Sequence, residues 1–164
     1  MNSIQAKTPA TIIRTINIIH LALIAGQALF ALVAFTNSQQ TTVKFDEHDQ
    51  FTFIIPGFAI ASFLISNFLF KTLIAKAVNL PDLLSKLTGY QTALIVRMAA
   101  LEAISLFAIV TYILTSNFLF LLISVILMVY GVIIRPTVDK IADDLQLSYD
   151  EKMQLQHYIL NCYL

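Results

Sequence analysis

Four nearly uncharged stretches of about 20 apolar residues constrain this 164-residue chain more than any other feature. A bilayer core about 30 Å thick is crossed by roughly 20 residues of α-helix, because a helix rises about 1.5 Å per residue. Soluble helices of this length carry a polar face, and these stretches have none. The sequence therefore predicts an all-α membrane protein whose four transmembrane helices lie at about residues 16–35, 51–70, 92–114 and 118–134.

The amino-acid composition agrees with this prediction and argues against other classes of protein. Hydrophobic residues make up 58% of the chain and charged residues 12%, which is about half the charged share of a typical soluble domain. Ten basic and ten acidic residues cancel, so no net charge attracts a nucleic acid. The single cysteine, Cys162, excludes an internal disulfide framework. A disordered segment, a nucleic-acid-binding protein and an ordinary soluble enzyme are all disfavoured.

The basic residues predict the orientation of the helices. Only Lys44 lies in the loop after the first span, and the other nine lie on the opposite side, which the positive-inside rule assigns to the cytoplasm. Both termini are therefore expected in the cytoplasm, and the long first span without a small-residue cleavage site argues against a cleaved signal peptide. Arg14, Arg97 and Arg135 are expected to anchor the cytoplasmic edge. The nine basic residues assigned to the cytoplasmic side are Lys7, Arg14, Lys71, Lys76, Lys86, Arg97, Arg135, Lys140 and Lys152.

Short connections predict two antiparallel hairpins that form a four-helix bundle. The outer loop 37–50 is acidic and too short for a domain, and the outer turn 115–117 is tight. The longest connection, 71–91, lies on the cytoplasmic side. Within it, a proline before residues 82–88 and Gly89 after them predict a separate short helix on the membrane surface.

The chain divides into a transmembrane domain, residues 1–135, and a cytoplasmic helical tail, residues 136–164. In the tail, residues 136–145 are predicted to form one helix, and the spacing of Ser148 and Glu151 is that of a capping box that starts another. Two interpretations stay open. The tail packs on its own transmembrane helices, or it docks a partner protein.

Ionisable and amide side chains inside the spans are costly to bury, so each requires a reason. Glu102 is the most deeply placed carboxyl group. Arg97 lies five residues earlier, a rotation of about 140° around the helix, so it is poorly placed to pair with Glu102. It lies near the cytoplasmic edge, where its long side chain can reach water. In the first span, Asn17, His20 and Gln27 share one helix face, which is expected to point toward other helices.

Counting residues from the cytoplasmic edge places His20, Asn67, Glu102 and Tyr130 at a similar depth. Two interpretations of this predicted layer stay open. The side chains form interhelical hydrogen bonds that set helix register, or they form a proton- or ligand-handling site in which Glu102 takes up a proton and His20 responds to it.

Sequence motifs for catalysis, cofactors or metals are missing. The chain contains no Gly-rich phosphate loop, H-E-x-x-H, G-x-S-x-G or C-x-x-C sequence. His48 lies in the acidic outer loop, which is typical of a solvated loop rather than a metal site. His157 and Cys162 are five residues apart, a poor spacing for two ligands on one helix. We therefore expect no enzyme activity, no cofactor and no metal.

The C-terminal half resembles small uncharacterised four-span bacterial membrane proteins. The resemblance rests on RMAALE at residues 97–102, RPT at 135–137 and DLQLS at 144–148, and it implies no known activity. A fainter similarity, in the Arg97-to-Glu102 stretch and the paired hairpins, is to the proton-carrying proteolipid subunits of rotary ATPases. It implies that Glu102 is a proton-carrying carboxylate. Those subunits have Gly-rich helices, whereas this chain has four glycines in all. Their carboxylate usually lies on the returning helix of a hairpin, whereas Glu102 lies on the outgoing helix.

These features together predict an accessory or structural subunit of a membrane complex in the bacterial inner (plasma) membrane. Its expected partners are the lipid bilayer and either another membrane protein or further copies of itself, and no nucleic acid. The alternative function is a small oligomeric proton-coupled transporter or channel that uses Glu102.

Overall fold

The structure, a computed structural model, describes residues 8–38, 42–43 and 50–163, with side chains up to Tyr158. Helices account for 87% of this part of the chain, and no strand occurs in it. The six helices are α1 (Pro9–Asn37), α2 (Phe51–Val78), α3 (Leu83–Thr115), α4 (Phe118–Ile133), α5 (Val138–Asp144) and α6 (Tyr149–Tyr163).

Three of these helices, α1, α2 and α3, are long and apolar enough to cross a membrane. Only 22%, 17% and 39% of the residues in their most apolar windows are buried, so most of this apolar surface faces outward, as a lipid-facing surface does. The 16-residue helix α4 is about 24 Å long, and it reaches the length of a span only together with α5, to which it is bent by 83°. The prediction of an all-α protein is therefore confirmed, and three to four of its helices could span a membrane.

Polar residues in the sequence define where the helices begin. Thr8 caps α1, accepting a hydrogen bond from the Thr11 amide, and Pro9 occupies the first turn, where its missing N–H has no partner to lose. At the start of α3, the Asp82 carboxylate accepts bonds from the Ser85 amide and hydroxyl, both at 2.9 Å. Asn117 caps α4 in the same way.

The connection between α2 and α3 is shorter than the sequence predicts. The prediction of a separate surface helix at 82–88 is wrong, because α2 continues to Val78 and α3 begins at Leu83 and passes through Gly89 without a break. Gly89 lies inside α3, where a Cβ atom would come within 2.7 Å of the Ala77 Cβ atom on α2. This glycine therefore permits close approach of two helices rather than ending one.

The turn between α3 and α4 is tied to part of the outer loop. Ser116 ends α3 in the left-handed region, at φ 54°. The Thr42 amide donates to the Ser116 carbonyl at 3.1 Å, and the Phe118 amide donates to the Thr42 carbonyl at 2.8 Å. The acidic part of that loop, with Lys44 and His48, lies outside the described residues.

The buried apolar residues form two clusters, and α3 contributes to both because it packs against α1, α2 and α4. The tail-end cluster contains residues from the start of α1, the end of α2, the first half of α3 and the tail: Ile12, Ile13, Ile16, Phe70, Ile74, Ala77, Leu83, Leu87, Tyr90, Ala93, Leu94, Met98, Ile141, Ala142, Leu145, Leu147 and Leu155. The loop-end cluster contains Ala31, Ala34, Ile55, Ala108, Ile109, Tyr112, Phe120 and Leu121.

The tail packs on the protein's own helices, which is the first of its two sequence interpretations. Leu145 and Leu155 are almost completely buried in the tail-end cluster. The predicted capping box is confirmed, since the Ser148 amide donates to the Glu151 carboxylate at 2.8 Å and the Glu151 amide donates to the Ser148 hydroxyl at 3.3 Å. The same carboxylate accepts a 2.7 Å bond from the Lys86 ammonium of α3.

Docking of the tail is expected to weaken in acid through Glu151. The Lys86 ammonium and the Ser148 amide lower the pKa of the Glu151 carboxyl below its ordinary value of 4.5. Because the pKa of the docked form is the lower one, the stabilisation is complete above pH 4.5 and is lost as the pH falls through the lowered value. We expect hydrogen exchange of the α6 amides to accelerate over that acidic interval.

The variant Glu151→Gln removes this pH dependence and weakens docking by up to about 1 kcal/mol, or roughly fivefold in hydrogen-exchange protection, because it loses the partly exposed ion pair with Lys86, whereas the Gln oxygen can still accept from the Ser148 amide. Asp150→Asn is the matched control, since Asp150 is exposed on the same helical turn. If both variants keep the wild-type acid response, Glu151 does not hold the tail.

Candidate functional site

The most connected polar group in the apolar helices is Arg97 of α3, which contacts α2 and α4. One terminal nitrogen of its guanidinium donates to the Asn67 side-chain oxygen at 2.6 Å and to the Tyr130 hydroxyl at 2.7 Å. The Tyr130 hydroxyl in turn donates to the Asn67 oxygen at 3.0 Å. These three side chains form a closed hydrogen-bonded set, called the Arg97 cluster below.

Aromatic rings surround this cation. The Arg97 guanidinium carbon lies 4.6 Å from the centre of the Phe70 ring and 5.8 Å from that of Tyr130, within the range of cation–π attraction. Phe63 packs on Tyr130 with ring centres 4.9 Å apart. The Arg97 Nε atom is buried and has no hydrogen-bond partner among the described residues.

Arg97 is directed between the helices in the structure, rather than along the helix toward its end. Its half-buried side chain turns between the helices, where Asn67 and Tyr130 supply oxygen acceptors and Phe70 supplies a ring face. The amphipathic stem that would allow the side chain to reach water also allows it to turn inward. The other two predicted edge residues, Arg14 and Arg135, are exposed.

His20 has a separate partner. It is only 5% exposed, and its Nε2 atom lies 3.0 Å from the Gly131 carbonyl oxygen, which joins α1 to α4. Because a carbonyl oxygen only accepts, this nitrogen carries the hydrogen and donates it. His20 is therefore held by the backbone of α4 and does not contact the Arg97 cluster.

Glu102 faces α1. The side chain of Gln27, which is 5% exposed, lies next to the Glu102 carboxyl group. Glu102 itself is only half-buried. Neither of the ion pairs in the described part of the chain, Lys86–Glu151 and Lys152–Asp143, includes it.

The predicted polar layer is thus divided into separate contacts. Asn67 and Tyr130 meet, whereas His20 and Glu102 each bind different groups. Asn17 remains on its own helix, where its amide nitrogen donates to the Ile13 carbonyl at 3.2 Å. Residue counting gives depth along a helix, but it does not give the rotation that decides which side chains meet.

Serines make further contacts that were not predicted from the sequence. The Ser62 hydroxyl donates to the Ala100 carbonyl at 2.6 Å, joining α2 to α3, and the Ser105 and Ser124 hydroxyls lie 2.9 Å apart between α3 and α4. Their presence in apolar helices was the available signal, because a buried hydroxyl needs a partner and Ser and Thr side chains bond across membrane helices.

Comparison with known proteins adds no assignment. No protein-family model, no curated protein and no solved structure matches this chain. The described residues contain no group of three or more His, Cys, Asp or Glu side chains that could hold a metal ion, and His48 and the Cys162 side chain lie outside that part of the chain.

Proposed function

We propose that this protein is a non-catalytic accessory or structural subunit of a membrane complex. It is a four-helix transmembrane bundle of two antiparallel hairpins, in which α4 is the fourth span and α5 turns away along the membrane surface. Two observations support this arrangement: α3 packs against α1, α2 and α4, and the 83° bend separates α4 from α5.

The observation that carries the proposal is that polar side chains join two or three helices to one another. His20 joins α1 to α4, the Arg97 cluster joins α2, α3 and α4, and Ser62 joins α2 to α3. Such bonds contribute about 0.6 to 2 kcal/mol each inside a membrane. Together they hold one fixed arrangement of helices, which suits a subunit that offers a rigid surface to a neighbour.

The orientation that we propose follows the charges. Nine of the ten basic residues lie at the ends of the spans on the same side as the tail, so by the positive-inside rule this side, with both termini, faces the cytoplasm. The membrane that we propose is a bacterial inner membrane, which is what the resemblance to small four-span bacterial proteins implies. The packed tail then forms a cytoplasmic extension of the bundle. Its outer surface carries the exposed Tyr149 and Met153 side chains.

A small proton-coupled transporter or channel is the second candidate. The observation in its favour is the half-buried Glu102 carboxyl group within an apolar helix. Against it, His20 donates to a backbone carbonyl and binds on a different helix pair from Glu102, so the two groups expected to act together are separate.

Native mass spectrometry of the protein extracted gently from its own membrane tests the accessory role. We expect the protein to co-purify with a chain of different mass in a fixed ratio that survives dilution. A stringent detergent that separates membrane subunits is the control and should release the partner. Recovery of homo-oligomers alone under gentle conditions would contradict the accessory role and favour the conduit.

A further inference from the structure

Glu102 lies on the side of α3 that faces α1, near the middle of the predicted third span. The same face carries Ile95, seven residues earlier, because seven residues return a helix to nearly the same angle. Ile95 is 39% exposed, and it lines a gap between α1 and α3 together with the apolar residues Ile19 and Leu23. This strip of surface runs along α3 from Ile95 to Glu102. We call it the α1–α3 seam.

The seam leaves Glu102 incompletely partnered. A carboxylate accepts several hydrogen bonds, whereas among the described residues Glu102 belongs to no ion pair and has the neutral side chain of Gln27 as its polar neighbour. The nearest cation along the same helix, Arg97, is turned toward α2 and α4 and donates to Asn67 and Tyr130. A charged carboxylate inside an apolar span is costly unless it is paired, and a cation on a neighbouring helix would supply that pair.

The surface next to Gln27 is open to an approaching helix. Gly26 is exposed, and a Cβ atom placed on it would meet nothing within 4 Å. On α3, Ala99 and Ala103 are exposed and short. A neighbouring transmembrane helix can therefore reach the Glu102 carboxyl without displacing a large side chain.

We propose that the α1–α3 seam binds a transmembrane helix of another protein, and that this helix places a lysine or arginine side chain against the Glu102 carboxyl. This inference rests on the proposed accessory role and names the surface that serves it. A second copy of the chain fits less well, because the two basic side chains inside the apolar stretches predicted to span the membrane, Arg97 and His20, are already hydrogen-bonded to internal acceptors, and the lysines of α2 lie beyond its apolar stretch.

Site-specific photo-crosslinking in native membranes tests the seam. A photoreactive residue replaces Ile95, and Val125 of α4, which is 40% exposed against 39% for Ile95, is the matched control position. We expect the probe at Ile95 to capture a chain of different mass whose membrane segment contains a lysine or arginine near the crosslinked residue. The probe at Val125 should not capture that chain.

Substitution of Glu102 then tests whether binding at the seam depends on its negative charge. Glu102→Gln keeps the shape and the neutral hydrogen bond, and we expect it to reduce the Ile95 crosslink about tenfold, whereas Glu102→Asp keeps most of it. The unfolding midpoint of each variant, measured in detergent, shows that the helices remain packed. Capture that is equal in the Gln and wild-type proteins would overturn the proposal, as would capture of only lipid or a second copy at Ile95.

The failure of this inference and that of the accessory role are separable. If native mass spectrometry retains a partner chain but that chain crosslinks at Val125 and not at Ile95, the accessory role stands and the seam is wrong. If no chain of different mass is recovered by either method, the accessory role itself fails, and the seam proposal fails with it.

Discussion

Replacement of Arg97 with glutamine is expected to lower the free energy of unfolding by about 2 to 3 kcal/mol. The variant loses two interhelical bonds, to Asn67 and Tyr130, each worth about 0.6 to 2 kcal/mol in a membrane, and a cation–π contact of about 1 kcal/mol. Removal of the half-buried charge offsets part of this destabilisation, because the free-energy cost of desolvating the charge disappears with it. The measurement is the unfolding equilibrium in mixed detergent micelles.

The comparison that isolates the Arg97 cluster is Arg135→Gln. Arg135 is exposed, so its loss should change the unfolding free energy by less than about 0.5 kcal/mol. Tyr130→Phe removes the hydroxyl that both accepts from Arg97 and donates to Asn67, and it should cost about 1 kcal/mol. Equal stability of the Arg97→Gln and Arg135→Gln proteins would show that the cluster does not hold the helices together.

Features that depend on neighbouring residues alone were predictable from the sequence. The apolar stretches locate α1, α2 and α3, because the length and hydropathy of a span are local properties. The capping box at Ser148 and Glu151 is local in the same sense, since both partners lie within one helical turn, and its two hydrogen bonds are present.

Features that depend on helix rotation and on distances between helices were not predictable in the same way. Arg97 has two physically reasonable positions, in water or between helices, and the choice depends on whether Asn67 and Tyr130 point toward it. Gly89 has two reasonable roles as well. It resembles a helix end when only its own segment is considered, and its role in packing is visible only when Ala77 of α2 is placed beside it.

Substitution of Gly89 with alanine is expected to destabilise the protein by about 1 to 3 kcal/mol, although alanine favours a helix by about 1 kcal/mol over glycine. The added Cβ atom would lie 2.7 Å from the Ala77 Cβ atom and 3.4 Å from its Cα atom. The obstacle includes the backbone of α2, so relief requires the two helices to separate within the tail-end cluster. The unfolding equilibrium in mixed micelles measures this loss.

Gly26→Ala is the matched control for Gly89→Ala, because it makes the same chemical change inside a helix at a position where nothing lies within 4 Å. We expect it to raise the unfolding free energy by about 0.5 to 1 kcal/mol through helix propensity alone. The double variant Ala77→Gly with Gly89→Ala should recover part of the loss, since it removes the Cβ atom that the new methyl group on α3 would meet. If Gly89→Ala instead stabilises the protein as much as Gly26→Ala does, α2 and α3 are not in close contact at this point, and the turn at Asn79–Asp82 must place them differently.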